Sequence, residues 1–212
     1  MSQFILWSAV AYVIFAIADR LLTLQTLGRS PSSGALVAII LIGGPIVVYT
    51  RWIQSVALGS RPPELKIAAR GFSAWLVVAQ IGLGLSMLTP LAILFLPNRD
   101  LDQPTGLDVL INIVGVIFYI VMLLMVSTVG RWVILTTEGK TFKGNARFSV
   151  LTRLFFVVGS LLILTSLLSE IQLKLPLIDL VITELRLVAT LALGWATQRF
   201  MEQSILQQGQ GQ

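Results

Sequence analysis

Asp19, Arg20, Asp179, Glu184 and Arg186 are charged residues set inside long apolar stretches, and they are the residues of this chain best placed to do chemistry. A charge at the centre of a bilayer costs about 3 kcal/mol or more, so each needs a partner, a water-filled path or a route to the interface. Such groups act either as ion pairs that clasp helices together or as stations for an ion or proton crossing the membrane. The five formal charges sum to minus one, and that near-cancellation favours a clasp.

Asp179 and Arg186 are seven residues apart and share a helix face, whereas Glu184 points away from both. For a helix entering the bilayer near Leu175, a rise of 1.5 Å per residue puts Asp179 about 6 Å deep, Glu184 about 13 Å and Arg186 about 16 Å. Asp19 and Arg20 lie toward the outer end of the first apolar run, at a depth comparable with Asp179. The expected ion pair is Arg20 with Asp179. Arg186 is then expected to meet Glu184 of another copy, Gln80, Asn112 or a water cavity.

Other chemistry is excluded by residue type. The chain has no cysteine and no histidine, which removes thiolate and imidazole metal ligands, disulfides, histidine-ligated haem and Ser/His or Cys/His catalysis. No glycine-rich phosphate loop or paired-carboxylate site accompanies the intramembrane charges. No catalytic centre, metal or cofactor is therefore expected, and an intramembrane lipid enzyme would have to use Asp or Glu as both acid and base.

The elements that must position these charges follow from composition. Of the 212 residues 56% are hydrophobic and 12% charged, and the mean hydropathy is +0.88. Soluble domains average about 45–50% apolar and about 25% charged, so lipid is the expected solvent. About six apolar runs are present: Phe4 to Leu24; Gly34 to Tyr49, interrupted by Gly43, Gly44 and Pro45; Phe72 to Leu96, with Gln80 and Pro90; Val109 to Val129, with Asn112 and Gly115; Leu154 to Leu168, or from Phe148 if Arg153 is included; and Leu175 to Ala196. The expected fold is an all-α integral membrane bundle of about six transmembrane helices over residues 1–202, followed by a polar tail, 203–212, expected to be disordered. Proline inside such a run need not end it, because a kinked helix in lipid can satisfy the freed carbonyl internally. Ala16-Ile17-Ala18 resembles a signal-peptide cleavage pattern, but Met1-Ser2-Gln3 lacks the basic flank, and the first run reads as a span.

Lys and Arg in short loops stay on the cytoplasmic side. Arg51, Arg61, Lys66 and Arg70 lie between runs two and three, and Arg131, Lys140, Lys143 and Arg147 between runs four and five. The opposite face carries Arg29, Arg99 diluted by Asp100, Asp102 and Asp108, and Lys174 beside Glu170. Both termini and both basic loops are thus expected in the cytoplasm, with the chain in a cell membrane such as a bacterial inner membrane. Trp7, Trp52, Trp75, Trp132 and Trp195 map near the inner ends of their runs and suggest a one-sided interfacial belt. The net charge of +5 clusters between spans, so anionic headgroups rather than nucleic acid are the expected partners.

In the first basic loop Arg61-Pro62-Pro63 is expected to be an extended turn. In the second, 132–143 is expected either as a small hairpin about Glu138-Gly139 or as the end of span four. Arg51-Trp52-Ile53 is echoed by Arg131-Trp132-Val133, and Ala69-Arg70-Gly71-Phe72-Ser73 by Ala146-Arg147-Phe148-Ser149. Such echoes occur in repeat-built transporters, but Arg-Trp and Arg-Phe are also common membrane boundaries. Small residues spaced four apart, Gly82/Ser86, Thr190/Gly194 and Ala192/Ala196, suit close helix packing, within the monomer first and between copies second.

Three functions fit. The first is a non-catalytic accessory, anchoring or assembly subunit of a larger membrane complex, its basic loops contacting anionic headgroups, another subunit or another copy. The second is a small-solute or ion transporter or channel, with Asp179, Glu184 and Arg186 lining its pathway alongside the kinked second run, and the third is an intramembrane lipid enzyme.

Overall fold

The computed structural model describes residues 2–26, 47–54, 62–95, 106–140, 142, 144–172 and 177–210; within these helices several side chains, those of Asp19, Arg20 and Asp179 among them, lie outside the described set. Arg61, Lys143 and the Gly43-Gly44-Pro45 interruption also lie outside the described residues. All regular structure among the described residues is helical: α1 Ser2–Thr26, α2 47–54, α3 Pro62–Phe95, α4 Gly106–Thr137, α5 Asn145–Gln172 and α6 Leu177–Gln210. A helix satisfies its backbone polar groups within itself, which is what an apolar solvent demands.

Three helical stretches among the described residues are long and apolar enough to cross a membrane, Val109–Thr137, Ala146–Ser169 and Leu180–Gln203. Each exceeds the roughly 20 residues that a bilayer requires. The stretch Gln3–Ala18 is apolar but shorter.

The helices overrun the apolar runs at one end. α3 begins at Pro62, so Pro62 and Pro63 start a helix rather than forming an extended turn. Proline is suited to that place because a first-turn N–H has no intrahelical partner and the ring presets φ. Pro90 sits inside α3 without ending it. α5 begins at Asn145 and takes in Phe148 and Arg153. α6 continues to Gln210, so helix covers most of the segment expected to be a disordered tail. Glutamine and leucine are good helix formers, and extending an existing helix avoids the cost of nucleation.

Neighbouring helices pack in the order α3, α4, α5, α6, α1. The pairs run antiparallel: Leu76 meets Gly130 across α3 and α4, Leu191 meets Gly159 and Phe155 meets Gly194 across α5 and α6, and Phe4 meets Trp195 across α1 and α6. α2 joins these helices together. Its Tyr49 ring lies 5.3 Å from Phe72 of α3, its Trp52 ring is 5.1 Å edge-on from Trp132 of α4, and its Tyr49 hydroxyl donates to Thr197 Oγ1 of α6 at 3.1 Å.

The most completely buried side chains, Trp52, Trp132, Phe148, Ile5, Ile53, Met201, Val133 and Thr152, therefore gather where α2, α4 and α6 finish and α1, α3 and α5 start. This tryptophan end corrects the expected belt. Trp52 and Trp132 are core residues at 0% and 1% exposure, whereas Trp7 at 68% and Trp195 at 38% project outward. Along α4, Ile113, Ile117, Ile120 and Leu124 form an exposed apolar stripe, and α5 carries another at Val150, Leu154, Val157, Leu161, Leu164 and Leu168. Apolar stripes of such length suit lipid rather than water.

Of the small-residue pairs, Gly194 and Ala196 pack inside the monomer. A Cβ on Gly194 would lie 2.7 Å from Phe155 Cε1, and Ala196 is fully buried. Gly82 differs, since a Cβ there would meet no described atom within 4 Å.

Candidate functional site

The C-terminus of α4 supplies the wall of a basic cleft. Gly139, at φ 71°, takes the left-handed conformation that costs glycine least. Its N–H donates to Thr136 O at 3.1 Å and the Lys140 N–H donates to Leu135 O at 2.9 Å, the paired bonds of a Schellman cap. Of the two expectations for 132–143, the helix end holds and the hairpin does not: Trp132 to Thr137 continue α4. Gly115 and Gly130 stay helical within α4, and the helix ends only where Gly139 takes a positive φ.

The cap turns the chain back toward α5 and opens a cleft of about 820 Å³. Arg131 of α4, Lys140 of the turn and Arg147 of α5 contribute its charge, with Ser127 and Thr128 one turn below Arg131 and Leu124 one turn below those. All three cations are exposed. Lys140 Nζ also meets Glu138 Oε2 at 2.7 Å, with both side chains open to solvent, a pairing worth little to stability. Gln80 Nε2 of α3 donates to Ser127 Oγ at 2.8 Å, and Thr128 Oγ1 donates to Leu124 O at 2.8 Å.

The other sequence-selected cations that are described, Arg51, Lys66 and Arg70, are exposed as well. Arg51 and Arg131 stand beside the touching pair Trp52 and Trp132, which brings parts of the two basic segments to the same end. The paired Arg-Trp motifs are thus a packing unit, each with its arginine outward and its tryptophan inward. Arg199 joins this rim unforeseen. Its guanidinium lies 5.8 Å from the Trp195 ring and 3.3 Å from Glu202, and the spacings from Trp195 and to Glu202 are those of adjacent helix turns.

The second cluster lies away from the tryptophan end, four to six residues into the apolar stretch Leu180–Gln203 of α6. Arg186 is half-buried, and the Tyr12 hydroxyl of α1 lies within electrostatic reach of Arg186 and of Tyr119 on α4. Both carboxylate oxygens of Glu184 are shielded from the surface. Glu184 shares a face with Leu187 and Leu191, both buried, and Leu191 packs on Gly159 of α5. Two positions apart in α6, Glu184 and Arg186 stand on different faces of the helix. Gln80, one of the neighbours expected for Arg186, donates its Nε2 to Ser127 Oγ.

Tyr12 went unnoticed in the sequence although it stands seven residues before Asp19, on the same helix face. The α1–α6 register, with Phe4 facing Trp195 and Tyr12 near Arg186, brings helical positions 19–20 level with 178–179. The side chains of the expected Arg20–Asp179 pair lie outside the described residues. Among the described residues no group of three Asp or Glu is placed to hold a metal ion.

Against known proteins, no family model, no curated protein and no solved structure matches the chain.

Proposed function

We propose that the chain is a six-span protein of a cell membrane, such as a bacterial inner membrane, with both termini in the cytoplasm, and that it serves as a non-catalytic anchoring or assembly subunit. The observation that carries this reading is the contrast at the tryptophan end, where a closely packed aromatic interior is ringed by exposed Arg and Lys. A rigid end with a cationic rim suits docking against anionic headgroups or an acidic subunit, since each basic residue near an anionic surface contributes about 1 kcal/mol. Few polar groups enter the apolar stretches, and the charges that do so nearly cancel.

Native purification in a mild detergent tests it. A partner subunit or a second copy is expected to copurify, to be released by Lys140→Glu with Arg147→Glu, and to survive Glu184→Gln. A lone monomer would count against assembly.

A second reading, transport, draws on the shielded carboxylate of Glu184 and the Tyr12, Arg186 and Tyr119 group. Intramembrane ionisable groups commonly mark pathways for ions or protons. On that reading Glu184→Gln abolishes flux in proteoliposomes at unchanged protein abundance, whereas the anchoring reading expects no flux in the parent protein.

A further inference from the structure

We infer that the cleft between the end of α4 and the start of α5 is a binding site for one anionic glycerophospholipid, its phosphate held among Arg131, Lys140 and Arg147. This rests on the reading that the tryptophan end faces the headgroup layer.

The wall of the cleft is graded along α4 as an amphiphile is graded. Leu135 flanks Arg131 on the side of the cap, and from Arg131 inward along α4 Ser127 and Thr128 lie one turn on and Leu124 one turn further, each turn being about 5.4 Å. Leu124 is also the last member of the exposed stripe Ile113, Ile117, Ile120 and Leu124. From Ile113 to Leu124 the rise is about 16 Å, close to half of a hydrocarbon core about 30 Å thick. An acyl chain can therefore continue from the cleft along the helix without leaving an apolar surface.

The polar middle fits the glycerol esters. Thr128's hydroxyl hydrogen is committed to the Leu124 carbonyl, but Ser127, which accepts from Gln80, is able to donate its own hydrogen to an ester carbonyl. At the mouth, two guanidiniums offer forked donors matched to phosphate oxygens, and the ammonium adds a point charge. Glu138, paired with Lys140 at 2.7 Å, is a rival anion that a phosphate at Lys140 would displace at little cost. A free phosphate would use only the mouth. An acidic peptide would leave the Ser127 and Leu124 levels unfilled.

The 212-residue chain, purified in mild detergent, is offered equal amounts of phosphatidylglycerol and phosphatidylcholine, and retained lipid is read by native mass spectrometry. Phosphatidylglycerol is expected to be retained in preference by about tenfold or more, the scale set by two or three basic contacts. Arg131→Gln with Arg147→Gln is expected to remove most of that preference at unchanged melting temperature. Arg51→Gln with Arg70→Gln removes equal charge from the same end outside the cleft and is expected to leave it intact. If the first double variant melts early, Lys140→Gln alone, on an exposed turn residue, is expected to lower the preference in part.

Equal loss in both double variants would reduce the effect to diffuse surface charge, and equal retention of the two lipids would overturn the proposal outright. Complete displacement by millimolar inorganic phosphate would make this a soluble-anion site, and displacement by a polyglutamate peptide a protein-docking site. Either result overturns the lipid assignment. A chain that carbonate washes off membranes fails the membrane reading itself, whereas one that stays embedded without lipid preference fails only the site.

Discussion

At the tryptophan end the described cations of the basic segments point outward around an aromatic interior, whereas deeper along α6 Glu184 has its carboxylate oxygens shielded and Arg186 is half-buried. The same helices build both regions. The difference lies in what each level lets a charge do. Near the headgroups an arginine can reach solvent on its long stem, so the interior is free to pack by shape alone. Deeper in, no such escape exists, and a charge must be matched by groups on the helices beside it. Packing thus carries the first region and polar matching the second.

The largest test of that contrast is Trp132→Ala. Trp132 is 1% exposed and touches Trp52 at 5.1 Å and Phe200 at 6.1 Å between ring centroids. Removing a buried tryptophan costs about 3–5 kcal/mol, and its two ring contacts add to what is lost. A large fall in melting temperature in detergent is expected. Trp7→Ala, at 68% exposure, is expected to stay within about 0.5 kcal/mol of the parent. Similar losses for the two would return Trp132 to the interfacial belt.

Next in size is a pair of glycine substitutions within the apolar levels. Gly194→Ala places a methyl 2.7 Å from Phe155 Cε1 and 3.6 Å from Met125 Cε. The aromatic ring is stacked on Phe118 at 5.3 Å and yields poorly, so a cost of about 1–3 kcal/mol is expected. Gly82→Ala meets no described atom within 4 Å and is expected to be neutral or to stabilise by up to about 1 kcal/mol through helix propensity. Thermal unfolding of both variants in one detergent decides whether the four-residue spacing marks a contact at each place.

These contrasts mark how far the sequence could be read. Apolar runs located the three helical stretches long and apolar enough to cross a membrane, because lipid requires a long uninterrupted stretch, and the described arginines and lysines of the basic segments emerge at the tryptophan end. Tryptophan was ambiguous for a physical reason: at a helix end, one side chain serves equally as an interfacial anchor and as core. Only the contact between Trp52 and Trp132, eighty positions apart, separates the two roles. Pro62-Pro63 read as a turn because proline stops helices from within but starts them at the first turn. That Tyr12 comes within electrostatic reach of Arg186 stayed hidden because it depends on the α1–α6 register, which no local pattern encodes.

The outer end of the α1–α6 pair is tested by the charge swap Arg20→Asp with Asp179→Arg. The register of α1 on α6 brings these positions level, and interhelical polar pairs in membranes are worth about 0.6 to 1.7 kcal/mol. Either single change is expected to destabilise and the double to recover much of the loss. Strict additivity across the cycle would refute direct pairing.

The smallest effect lies within the tryptophan end itself. Tyr49 of α2 donates its hydroxyl to Thr197 of α6 at 3.1 Å inside the aromatic cluster, and Thr197 in turn donates to Leu193 O at 2.8 Å. Tyr49→Phe keeps the ring against Phe72 and removes only the hydroxyl, so a loss of about 0.6 kcal/mol is expected, the average for such bonds in a membrane. Thr197 retains its backbone acceptor and is not left with a stranded hydrogen, which keeps the cost small. Thr197→Val removes the acceptor while the Tyr49 hydroxyl stays buried, and is expected to cost more than Tyr49→Phe. Equal costs measured by unfolding in detergent would mean that water reaches Tyr49, and that the tryptophan end is more open than its packing implies.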